Sequence, residues 1–151
     1  MRKASFLLIA LLVSAVVGNA KVRLPQIFQS GMVLQRGTTV PVWGQADAGE
    51  TVVVKLNKKT ATTVADDNGK WRVNLPAMKA GGPYVMSIES KTNHTSHLSP
   101  LSSHIELSDV WLGDVWLCTG QSNMETTLER VSPQYPDELN DSNAMVRLFH
   151  V

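Results

Sequence analysis

Thr51-Val52-Val53-Val54-Lys55-Leu56 decides the fold of the larger part of this chain. Val52, Val54 and Leu56 fall on one side of an extended backbone, and Thr51, Val53 and Lys55 on the other. A period of two with one polar side marks a strand buried on one face only, as in antiparallel sheets. The same alternation recurs on both sides of it. Val40 and Val42 alternate with Thr39 and Pro41, and Trp71, Val73 and Leu75 with Arg72 and Asn74. Tyr84, Met86 and Ile88 alternate with Val85, Ser87 and Glu89.

Turn residues separate these runs: Asp47-Ala48-Gly49, Asn57-Lys58-Lys59, Asp67-Asn68-Gly69 and Ala80-Gly81-Gly82-Pro83. Asn68-Gly69 reads as the strongest hairpin signal, because both residues tolerate the positive φ of a tight turn. Residues 91–103, rich in Ser, Thr, Asn and His, read as a long surface loop before a last strand at 104–107. Short strands at this spacing, with no helical period between them, predict an immunoglobulin-like β-sandwich over residues 21–108. Trp43 and Trp71 read as packing residues of that sandwich.

The pattern changes beyond Ser108-Asp109. Residues 115–118, Val-Trp-Leu-Cys, form a continuous apolar run, as expected of a parallel strand buried on both faces. Gly120 breaks it, residues 125–131 are good helix formers up to Ser132-Pro133, and residues 144–151 read as a second strand. The expected unit, residues 109–151, is the opening βαβ of an α/β domain. Two strands cannot bury both faces of a parallel sheet, so a longer native chain is expected.

Residues 1–20 read as a secretory signal peptide. Arg2 and Lys3 precede an apolar stretch of about a dozen residues, and Gly18-Asn19-Ala20 supplies small residues for cleavage after Ala20. The expected location is secreted or periplasmic. No other stretch is long and apolar enough to span a membrane. Removal of Arg2 and Lys3 leaves 12 basic side chains against 13 acids, with no basic cluster, which gives no support for nucleic-acid binding. The single Cys118 cannot form an internal disulfide and is expected as a small buried hydrophobe. His94 and His97 lack the accompanying ligands of a metal site and read as part of a solvated loop. His150 reads equally as a residue near the active-site edge or a surface residue.

Gly120-Gln121-Ser122-Asn123-Met124 carries the candidate chemistry. A strand-to-helix turn lifts a serine out of a sheet and points backbone N–H groups at one place, which suits a nucleophile and its oxyanion. Serine is also a favoured helix N-cap, and spacing alone supports both readings of Ser122. Met124 stands where the Gly-x-Ser-x-Gly elbow of α/β-hydrolases has its second glycine, which disfavours that family.

The block Gly113-Asp114-Val115-Trp116-Leu117-Cys118-Thr119 followed by Gly-Gln-Ser-Asn-Met resembles the nucleophile region of the sialate O-acetylesterases, of the SGNH hydrolase superfamily. Thr119 departs from the serine often found there. Upstream, Leu24-Pro25-Gln26-Ile27-Phe28, Met32-Val33-Leu34-Gln35-Arg36, Val40-Pro41-Val42-Trp43-Gly44, Gly69-Lys70-Trp71 and Ala80-Gly81-Gly82-Pro83-Tyr84 extend the resemblance over nearly all the mature chain. It implies a flavodoxin-like catalytic domain after the β-domain. It also implies Ser122 as nucleophile, with Gly120, Gln121 and Asn123 contributing to the oxyanion hole or shaping the pocket. The implied substrate is an acetylated sugar or sialic acid, with no cofactor or metal. The remaining oxyanion donors and an Asp-x-x-His pair would lie beyond Val151, and none of the histidines here supplies that motif. The resemblance therefore implies an esterase whose catalytic set is incomplete within this chain. The alternative reading is a non-catalytic glycan-binding module in which the β-sandwich is the functional part.

Overall fold

The computed structural model describes residues 22–91 and 102–150. The signal-peptide stretch, His94, His97 and most of the expected surface loop lie outside the described residues. Among the described residues there are seven strands: β1 (Val33–Gln35), β2 (Val40–Gln45), β3 (Thr51–Leu56), β4 (Lys59–Val64), β5 (Lys70–Leu75), β6 (Gly81–Lys91) and β7 (Ser102–Gly113). Five form one mixed sheet in the order β1-β7-β6-β3-β4, and β2 pairs with β5 in a second sheet. The pairings are antiparallel except β1 with β7, where Val33 faces Trp111 and Gln35 faces Gly113 in parallel.

The two sheets close on a single apolar cluster. Val42, Trp71, Val73 and Leu75 come from the small sheet, and Val52, Val54, Leu56, Met86, Ile88 and Val110 from the large one. All but Val110 are inward positions the alternation predicts. Their burial removes apolar surface from water at roughly 25 cal/mol per Å², the main force holding the sheets together. On β5 the alternation is complete: Lys70, Arg72 and Asn74 are exposed, and Trp71, Val73 and Leu75 are buried.

Two turns behave differently from expectation. Asn57 and Lys58 both have positive φ, 42° and 62°, and form the two-residue hairpin between β3 and β4. Asn68-Gly69 instead carries the chain from the large sheet to the small one. There Asp66 Oδ1 accepts from the N–H groups of Asn68 and Lys70 at 2.9 and 2.8 Å. A carboxylate gathering two backbone donors fixes a turn without needing the flanking strands to pair. β4 itself, a polar run after the Asn57-Lys58 turn, lies outside the runs picked out by apolar alternation.

β7 is longer than the expected strand at 104–107 and continues through Ser108-Asp109 to Gly113. Its register slips there. Met86 pairs with Leu107 and Tyr84 with Val110, so β7 carries an extra residue. Asp109 absorbs it with φ 55°, and its Oδ1 accepts from the Trp111 indole N–H at 2.7 Å. A bulge that turns a side chain toward a local donor offsets part of the cost of left-handed backbone.

Beyond Gly113 the expected βαβ unit is not formed. Residues 115–118 are irregular, with Trp116 84 % and Leu117 88 % exposed, and Cys118 is exposed rather than buried. No described strand pairs with them, and a strand without a pairing partner leaves most of its N–H and C=O groups to water. The expected helix over 125–131 is split. A 3-10 turn, Ser122–Glu125, and a short α1, Leu128–Val131, are separated by extended Thr126 and Thr127. Two adjacent β-branched residues disfavour the continuous helix. A second 3-10 turn spans Asp137–Asn140. The expected strand at 144–151 is replaced by a turn. There Asn143 accepts from the N–H of Met145 through its side chain and from that of Val146 through its carbonyl. No helix among the described residues is long and apolar enough to cross a membrane.

Candidate functional site

Ser122 opens the first 3-10 turn; Gln121 occupies the cap position, and no side chain caps it. The cap reading of Ser122 is therefore not what this geometry shows. Gln121 closes the turn through its carbonyl, which accepts from the Met124 N–H at 2.9 Å. Gly120 is not among the glycines with positive φ. Its role is spatial: a Cβ there would sit 2.9 Å from Met124 Cγ, so the glycine lets Met124 fold back over the turn.

Ser122 and Asn123 line a solvent-open hollow of ≈ 450 Å³ with Thr126, Arg130, Val131, Pro133 and Gln134. Gly120 and Gln121 do not contribute to its walls. Among the described residues Arg130 is the hollow's charged group, and neither an imidazole nor a carboxylate lines it. A serine hydroxyl without a base is a weak nucleophile. His150 is exposed and is not among the residues around Ser122. The approach of Thr126 and Arg130 to Ser122 was foreshadowed only by their four-residue spacing. Among the described residues no group of His, Cys, Asp and Glu is arranged to hold a metal ion.

Three contacts fasten the serine-bearing segment to the sandwich. Arg36, just after β1, forks onto Asp114 with Nε–Oδ1 at 2.9 Å and Nη2–Oδ2 at 3.0 Å. The Val115 N–H donates to Gln35 Oε1 at 2.8 Å. Arg147 Nη1 reaches Oδ2 of the bulge residue Asp109 at 3.2 Å. The Arg36 hydrogen bond, aided by its charge, holds the Asp114 carboxyl below the usual carboxylate range. The bidentate geometry matters more than the charge, since both side chains are about half exposed and water screens the pair.

Fold and site thus define a β-sandwich whose last strand delivers a serine-bearing turn. The chain is a relative of the sialate O-acetylesterases over nearly its whole length. It is 34% identical over 156 residues to the sialate O-acetylesterase of Rattus norvegicus, covering 96% of this chain and 28% of that protein. The Mus musculus enzyme is 32% identical over 157 residues, with 97% and 28% covered. Among solved structures, a carbohydrate acetylesterase from Xanthomonas citri is similar with a TM-score of 0.68 and 36% identity, covering 82% of this chain and 26% of that one. The chain spans just over a quarter of the length of these relatives. No family model matches it.

Proposed function

We propose that this chain is the β-sandwich and nucleophile-bearing part of an exported carbohydrate O-acetylesterase. The observation that carries the reading is identity of about one third to sialate O-acetylesterases across a stretch containing Gly120-Gln121-Ser122-Asn123-Met124. In the proposed reaction Ser122 Oγ attacks the acetyl carbonyl of an acetylated sugar, including sialic acid, while a histidine base takes its proton. The tetrahedral oxyanion is held by backbone donors that include the Ser122 N–H. Collapse breaks the ester bond, and the proton passes to the departing sugar hydroxyl. Water then attacks the acetyl-serine and releases acetate.

No described residue lining the hollow around Ser122 is a base, which supports a reading in which an Asp-x-x-His pair is supplied by a longer polypeptide. Acetate release from p-nitrophenyl acetate and acetylated sugars tests this. The 151-residue chain is compared with a longer polypeptide bearing that pair, each with and without Ser122→Ala. Turnover is expected only in the longer form with Ser122 intact, and Ser122→Ala should lower it by about 10⁴–10⁶. Undiminished activity in the alanine variant would overturn the nucleophile assignment; activity in the 151-residue chain would overturn its incompleteness. Export is tested by sequencing the amino terminus of the mature protein, which is expected to begin at Lys21.

A further inference from the structure

Among the described residues the outer face of the small sheet is largely exposed. Along β2 it presents Pro41, Trp43 and Gln45, and along β5 Lys70, Arg72 and Asn74. Trp43 lies directly opposite Arg72, and Gln45 opposite Lys70. Trp43 is 39 % exposed, yet its ring is not free to swing. Phe28, itself buried, packs edge-on against it with centroids 4.7 Å apart. A braced, half-exposed indole binds a flat apolar surface with little loss of rotamer entropy.

This face opens into a hollow of ≈ 940 Å³, which also reaches Arg23 and the buried Trp71. Its charge is one-sided. Arg23, Lys70 and Arg72 line it and have no ion-pair partner among the described residues. The single acid, Asp66, spends Oδ1 on the N–H groups of Asn68 and Lys70. Trp71, whose side chain also lines the hollow, keeps its indole N–H buried and without an acceptor among the described residues.

We propose that this face binds an acidic saccharide. The indole of Trp43 takes the apolar C–H side of a sugar ring, Arg72 and Lys70 take its carboxylate, and Gln45 and Asn74 bond its hydroxyls. Charge complementarity selects a carboxylated sugar over a neutral one. A long polyanion such as nucleic acid is disfavoured, because the basic side chains are nearly balanced by acids, 14 against 13. The site is separate from Ser122 and stands whether or not that serine is a nucleophile.

Calorimetric titration of the whole chain tests it, with oligogalacturonate, a hyaluronan hexasaccharide and a sialyl-lactose as acidic probes. Methyl-esterified oligogalacturonate and single-stranded DNA are the controls. At least one acidic sugar is expected to bind, about tenfold more tightly than the ester, and more weakly as salt rises. Lys70→Gln with Arg72→Gln, two exposed positions that leave the core intact, should weaken binding about tenfold, as should Trp43→Ala if its thermal midpoint shows it folded. No binding by any acidic sugar at millimolar concentration overturns the proposal. So does equal binding of the ester, tighter binding of DNA, unchanged affinity in the Lys70/Arg72 variant, or a dimer in sedimentation that covers this face. No ester cleavage is read, so failure here leaves the esterase reading untouched.

Discussion

Gly44 shows how far a residue's reason can lie from its neighbours in sequence. In Val40-Pro41-Val42-Trp43-Gly44 nothing announces why the last position is glycine. In the fold a Cβ there would collide with the Arg23 carbonyl oxygen and lie 2.8 Å from Trp71 Cζ2. The close approach matters because Arg23 and Gln45 exchange backbone hydrogen bonds at 2.8 and 2.9 Å, adding a bridge to the small sheet. Gly44→Ala is expected to destabilise the chain by about 1–3 kcal/mol in urea denaturation, through overpacking. Ser122 was legible as a candidate from its motif. That its base is supplied from elsewhere was already an expectation from the histidine positions. Cys118 was misread because an apolar run predicts burial only where something covers it. Its thiol is expected to react with a chromogenic disulfide in the folded chain as fast as in denaturant.

At the scale of elements, inward and outward positions of β2, β3, β5 and β6 were readable, because a period of two is a property of the strand alone. Which strand joins which sheet was not. The two candidate turns, Asn57-Lys58 and Asn68-Gly69, look alike in sequence, with the glycine favouring the second. The hairpin forms at the first because its strands, β3 and β4, share a sheet, while β4 and β5 do not. That places Lys58, a side chain with Cβ, at φ 62°. Left-handed backbone costs a non-glycine residue about 1–2 kcal/mol. Lys58→Gly recovers part of this, against the greater freedom glycine has when unfolded, and should raise stability by about 0.5–1 kcal/mol in the same denaturation assay.

Across the whole molecule, the joints between sandwich and serine segment link residues far apart in sequence, such as Arg36 and Asp114, and no local pattern reveals them. Their pH dependence has a definite sign. Asp114 is held below its unfolded value, about 3.9, so its contribution is fully present above that pH and is lost as pH falls through the lower folded value. A carbon-detected NMR titration should give Asp114 a midpoint below that of an unfolded peptide, moving up toward it in Arg36→Gln. The same variant should be cut faster by protease after Gly113 at neutral pH, with the sandwich left whole. The tryptophans offer an optical account of the same division. Trp71 is 3 % exposed in the core, whereas Trp116 stands 84 % exposed on the serine segment. Blue-shifted, quencher-resistant emission therefore reports Trp71 in the sandwich core, and in a Trp43→Phe background the red-shifted, most readily quenched emission reports residue 116. Any polypeptide that comes to cover the serine segment would announce itself as a blue shift, with no label added.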